Sequence, residues 1–102
     1  MRLKEAMLAE DYISHAFRFI SDGGHAWLRV PHKVIADVEL SPKSFSRYSY
    51  IDHEYMYLEE DCDAGVFITA YLAKYKHEPA FSHVATERAH IREKRRNVGG
   101  YP

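Results

Sequence analysis

Residues 12–30 read YISHAFRFISDGGHAWLRV. Over 12–20 the residues alternate, with Ile13, His15, Phe17 and Phe19 on one face and Ser14, Ala16 and Arg18 on the other. A period of two that carries phenylalanine is the pattern of a half-buried strand. Ser21-Asp22-Gly23-Gly24 is a turn, because glycine supplies the positive φ angles that tight hairpins need. His25–Val30 returns, with His25, Trp27 and Arg29 on one face and Ala26, Leu28 and Val30 on the other. The stretch therefore predicts a β-hairpin.

Outward from the hairpin, Pro31 stops the strand and opens a helix, where its missing N–H costs little. Val34, Ile35 and Val38 fall at helical spacing, which predicts two turns over 32–39. Ser41-Pro42 begins a loop or a second short turn, and 44–50 reads as loop or edge strand. A short strand is expected over 54–60, around Tyr55-Met56-Tyr57-Leu58. From 64 to 76, Val66, Phe67, Ala70, Tyr71, Lys74 and Tyr75 form a stripe at helical spacing, with Asp61 or Asp63 as the expected N-cap. Pro79 ends that region, and 80–86 reads as a last strand. The order β-β-α-β-α-β predicts an α+β fold: a small, mostly antiparallel sheet with helices packed on one face. The expected organisation is an N-terminal lead over 1–11, one domain over 12–87 and a basic flexible tail over 88–102.

At 102 residues the chain suits one domain, and 46% hydrophobic residues are enough for one core. A single cysteine excludes an internal disulfide, and no apolar run approaches the ~20 residues that span a bilayer. Met1–Asp11 has no signal-peptide core, so a cytoplasmic protein is expected, without a membrane partner. The net charge of −1 gives no strong global field for nucleic acid, but the charge is uneven. Asp52, Glu54, Glu59, Glu60, Asp61 and Asp63 crowd one stretch, whereas Arg88, Arg92, Lys94, Arg95 and Arg96 crowd another.

Acids gathered before a helix are explained by capping and dipole compensation, since the calcium-loop pattern D-x-[DN]-x-[DN]-G is missing. His25 and His53 with the acids would suit zinc or manganese, but no H-x-x-x-H or H-E-x-x-H pattern supports them. Cys62 before a helix would be activated by the dipole, yet the acids around it raise a thiol pKa and outweigh a partial charge. It reads as a small, partly buried residue. Ser21–His25 precedes a strand rather than a helix, so it is no phosphate loop. No catalytic residue, metal or cofactor is expected.

Gly23-Gly24-His25-Ala26-Trp27-Leu28-Arg29-Val30-Pro31 and Tyr57-Leu58-Glu59-Glu60-Asp61-Cys62-Asp63-Ala64-Gly65 resemble blocks of a family of short uncharacterised proteins encoded by bacteriophages and other mobile elements. The similarity runs from about Phe17 to Tyr75 and brings no activity with it. What it implies is a setting in the host cytoplasm, in which such accessory proteins bind host macromolecules and some inhibit defence complexes, anti-CRISPR proteins among them. The expected function is non-enzymatic binding of a host protein or protein–nucleic-acid complex, by a monomer or homodimer. Its surface would be acidic and tyrosine-rich, built on Glu54, Glu59, Glu60, Asp61 and Asp63 with exposed Tyr48, Tyr50, Tyr55 and Tyr57 as anchors. One alternative is a nucleic-acid module using Trp27 and the tail residues Arg88, Arg92, Lys94, Arg95 and Arg96. Another is a metal-dependent enzyme using His25, His53 and the acids.

Overall fold

A computed structural model describes residues 15–85 and 90–98. The hairpin forms as its alternation predicts: β1 (Ala16–Ser21) pairs antiparallel with β2 (Ala26–Pro31), and Phe19 lies opposite Leu28. Gly23 takes φ 100° in the turn, a conformation that L side chains rarely adopt. Pro31 leaves β2 in extended geometry and leads directly into α1 (His32–Asp37), which buries Val34 and Ile35. A 3-10 turn (Pro42–Ser44) and the two-residue β3 (Tyr50–Ile51) occupy the stretch read as loop or edge strand. β4 (Tyr55–Glu59) and α2 (Asp63–Tyr75) follow, then β5 (Ala80–Ala85).

The sheet has six strands in the order β5-β1-β2-β4-β3-β6, where β6 is Arg95–Arg96. Every pairing is antiparallel except β5 with β1, so the sheet is mostly antiparallel with the helices on one side. The parallel pair follows from chain reach. A helix of 13 residues is about 20 Å long, which carries the chain over the roughly 14 Å from β4 to the slot beyond β1.

The helix-side core is Phe17, Leu28, Val30, Met56 and Leu58 under Val34, Ile35, Ala64, Phe67 and Tyr71. The stripe on α2 is rotated from expectation. Ala64, Phe67 and Tyr71 are buried and Ile68 half-buried, while Val66 and Lys74 face solvent. Phe17 meets Phe67 and Tyr71 edge-on, so the aromatic rings of the strand and the helix set how closely they approach.

The expected flexible tail is the main correction. Residues 90–98 make a 3-10 turn (Ile91–Glu93) and β6, and Ile91 is buried with Trp27, Tyr50 and Tyr57 on the helix-free face. Basic composition predicts flexibility, but Ile91 and Asn97 are apolar and polar anchors inside that segment, both buried. Arg88, like the lead over 1–11, lies outside the described residues.

The substitution Ile91→Ala is expected to cost about 2–4 kcal/mol in chemical unfolding, as for other buried aliphatic truncations. Trp27 is the sole tryptophan, so its emission should shift to the red in the same variant.

Candidate functional site

The acids of 52–63 do not form one surface. Asp63, the first residue of α2, is fully buried. Its Oδ2 accepts hydrogen bonds from the Ser46 N–H (3.0 Å), the Ser46 hydroxyl (2.7 Å) and the Ser49 hydroxyl, while its Oδ1 has no partner among the described residues. Ser49 Oγ also accepts from the Glu59 N–H at 2.9 Å, so the carboxylate ties the 46–49 loop to both α2 and β4. Glu59 is buried as well, and its Oε1 accepts from the Cys62 N–H at 2.8 Å. Neither Asp61 nor Asp63 caps the helix. Cys62 occupies the N-cap position without a side-chain cap bond. Glu54, Glu60 and Asp61 are the exposed members of the cluster.

Asp52 builds the turn between β3 and β4. Its Oδ1 accepts from the Glu54 and Tyr55 N–H groups, and its Oδ2 accepts from the Tyr57 hydroxyl (2.8 Å) and pairs with Lys94 (3.1 Å). Burial alone would raise this carboxyl, but the bonds from Tyr57, the two backbone N–H groups and Lys94 outweigh it and bring Asp52 down to about 2. Burial and the same carboxylate push the Tyr57 hydroxyl well above the usual phenol range.

The basic segment lies over aromatic rings with a period of two. The Arg92 guanidinium sits 5.2 Å from the Trp27 ring, Lys94 Nζ 5.1 Å from Tyr57 and Arg96 5.0 Å from Tyr50. Each cation has a second partner. Arg92 donates to Asp22 Oδ2 (3.0 Å) and to His25 Nδ1 (2.7 Å), Lys94 pairs with Asp52, and Arg96 donates to the Arg47 carbonyl (2.9 Å). Since arginine has no acceptor, His25 Nδ1 must accept, which places the imidazole proton on Nε2. Asn97 closes the segment, with its side-chain amide within hydrogen-bond reach of the carbonyls of Pro42, Phe45 and Ser46. Arg95 is exposed on the opposite side of β6.

Of the four expected anchors, Tyr50 and Tyr57 are buried, which corrects the reading of them as exposed, and Tyr55 is half-buried. The cause is the covering segment 90–98. Tyr48 is exposed to 59%. It stands on the loop held from one side by Asp63 and from the other by Asn97, and its own N–H donates to Ser46 Oγ at 3.2 Å. Tyr48 and Arg96 line both of two adjoining pockets. One, of about 390 Å³, is completed by His25, Trp27, Tyr50, Glu59, Asp61, Cys62 and Arg92. The other, of about 420 Å³, is completed by Arg47 and Val98.

Cys62 is exposed rather than partly buried, and desolvation together with Glu59, Asp63 and Asp61 raises its thiol above the usual range. A raised thiol is the opposite of the activation that a cysteine nucleophile needs. His25 and His53 line different pockets, and no three metal-ligating side chains gather among the described residues. Among the same residues no helix is long and apolar enough to cross a membrane. Compared with protein families, with curated proteins and with solved structures, the chain gives no match.

Arg92, Lys94 and Arg96 fall at alternate positions, and that strand-like period is the signal in the sequence for this site. Asp63 carries no comparable signal, because its two serine partners are 14 and 17 residues away.

Truncating Asp63 to alanine is expected to cost about 2–3 kcal/mol, because Ser46 and Ser49 lose a buried acceptor. Asp52 gives a pH signature. Its folded value lies below the unfolded one, so its contribution is fully present above pH 4 and is lost as pH falls toward 2. Discounted for partial exposure, the wild type should lose about 1–2 kcal/mol more than Asp52→Asn over that range in urea unfolding.

Proposed function

We propose that this chain is a non-enzymatic binding protein that engages a host macromolecule through the surface centred on Tyr48. The observation that carries the reading is one residue's placement. A large aromatic side chain stands 59% exposed on a loop whose backbone is fixed from beneath by buried polar bonds. Exposed tyrosine on a rigid support is the usual form of an interface anchor, because little conformational entropy is lost when it docks. The pocket beside it is lined by the buried rings of Trp27 and Tyr50 together with Arg92, Arg96 and Asp61. Charges of both signs in one lining select a partner by complementary charge.

The blocks around Trp27 and Asp61 resemble the phage-encoded family, and both contribute to this pocket. That resemblance supports a mobile-element accessory protein acting on a bacterial host target, and a defence complex inhibited in the anti-CRISPR manner is the form of target we favour. The acidic surface is smaller than six clustered acids would suggest, since Glu59 and Asp63 are committed inside the fold, and Asp61 is the acid that remains beside Tyr48.

Immobilised wild-type protein should retain a partner from bacterial lysate that Tyr48→Ala and Asp61→Lys each fail to retain, with melting temperatures unchanged. If both variants hold the same proteins as the wild type, the Tyr48 surface is not the interface.

A further inference from the structure

The helix-free face carries a second feature, away from the Tyr48 pockets. Arg18 on β1 and Arg29 on β2 are directly opposed in the antiparallel register. Like charges at such positions destabilise a sheet, and natural pairs there are ordinarily of opposite sign. No acid pairs with either arginine among the described residues. The Arg29 guanidinium carbon lies over the Tyr55 ring, 4.5 Å from its centroid, and its N–H groups make no hydrogen bond or ion pair among the described residues. Both arginines line a recess of about 210 Å³ with His15, Pro31 and Tyr55, and no acid lines it among the described residues.

The same register continues across the sheet. Arg18 pairs with Ser82 on one side, Arg29 with Tyr57 on the other, Tyr57 with Tyr50, and Tyr50 with Arg96. Lys94, paired with Asp52, lies over Tyr57, and Arg96 lies over Tyr50, so basic side chains follow one another from strand to strand along this row. With strands about 4.8 Å apart, the row from Arg18 to Arg96 covers about 19 Å.

We infer that this row is a binding track for single-stranded nucleic acid, with one phosphate held between Arg18 and Arg29. The recess is smaller than the roughly 300 Å³ of the smallest whole-ligand sites, so it fits one unit of a longer polymer. A polyanion with regularly spaced charge matches cations repeated across neighbouring strands. Bases stack on aromatic rings and on guanidinium planes, both present in the Arg29–Tyr55 pile, whereas the carboxylates of an acidic peptide have no use for them. A duplex keeps its base faces stacked inside and cannot use the pile. The centre of this track, on β1 and β2, lies away from Tyr48 and distinguishes it from a tail-based site, while its far end at Tyr50 and Arg96 borders the Tyr48 pockets.

The test is fluorescence anisotropy with a labelled oligo-dT of about 15 nucleotides, within the range that one domain covers. Binding at low salt is expected, weaker for the matching duplex. Arg18→Ser with Arg29→Ser should weaken it at least tenfold and reduce the salt slope by about 0.7, the share of the one phosphate held between them. That double variant should melt at or above the wild-type temperature, because a like-charge pair is removed. Arg18→Glu, at an exposed position opposite Arg29, should lose binding as fully without loss of fold. Lys76→Asn, which removes one charge beside the helical layer, and Tyr48→Ala should both bind as the wild type. The inference is overturned if oligo-dT does not bind at low salt, if Arg18→Glu binds normally, if Lys76→Asn weakens binding equally, or if polyglutamate at equal charge displaces the oligonucleotide.

Discussion

The contact between residues 90–98 and the helix-free face of the sheet governs most of what is particular about this protein. Without it, Trp27, Tyr50 and Tyr57 would lie on an open sheet face, an apolar patch that soluble domains rarely leave uncovered. Ile91 supplies the apolar part of the cover and Arg92, Lys94 and Arg96 the rest, each with its charge above a ring and a second partner beside it. A single exposed cation–π contact contributes about 0.5–1 kcal/mol, so no one of them holds the segment. They do so collectively: Arg92 in the 3-10 turn, Lys94 after it and Arg96 on β6 each meet one of the rings arrayed on β2, β4 and β3.

This packing changes the meaning of the charge in the chain. The acidic and basic stretches appear complementary and free to act on something else. In the fold much of each is consumed internally, in the Asp52–Lys94 and Asp22–Arg92 pairs and in the buried bonds of Glu59 and Asp63. Of the charges that remain outward, Asp61 lies near Tyr48 on one side, and the opposed Arg18 and Arg29 lie on the other. Separated this way, acidic and basic surfaces on a chain of net charge −1 can serve different partners without neutralising each other.

The buried carboxylate of Asp63 has a related role. A charge in the interior is costly unless its hydrogen bonds are met, and the two serines with one backbone N–H meet those of Oδ2. Asn97 then engages the same loop from the opposite side. The loop thus gains the rigidity of a core element while carrying an exposed aromatic, a combination suited to recognition.

Local pattern was enough for the elements built from near neighbours. The hairpin, α1, β4, α2 and β5 all follow from period, turn glycines and proline positions, because the forces that set them act over a few residues. The α+β class and the single helical layer were legible for the same reason. The parallel seating of β5 beside β1, the two-residue β3 and β6, the burial of Glu59 and Asp63, and the covering of Tyr50 and Tyr57 were decided by tertiary structure. Each depends on a contact between residues far apart in the chain, such as Tyr50 with Arg96 or Ser49 with Asp63, and periodicity holds no record of which distant segment will supply the partner.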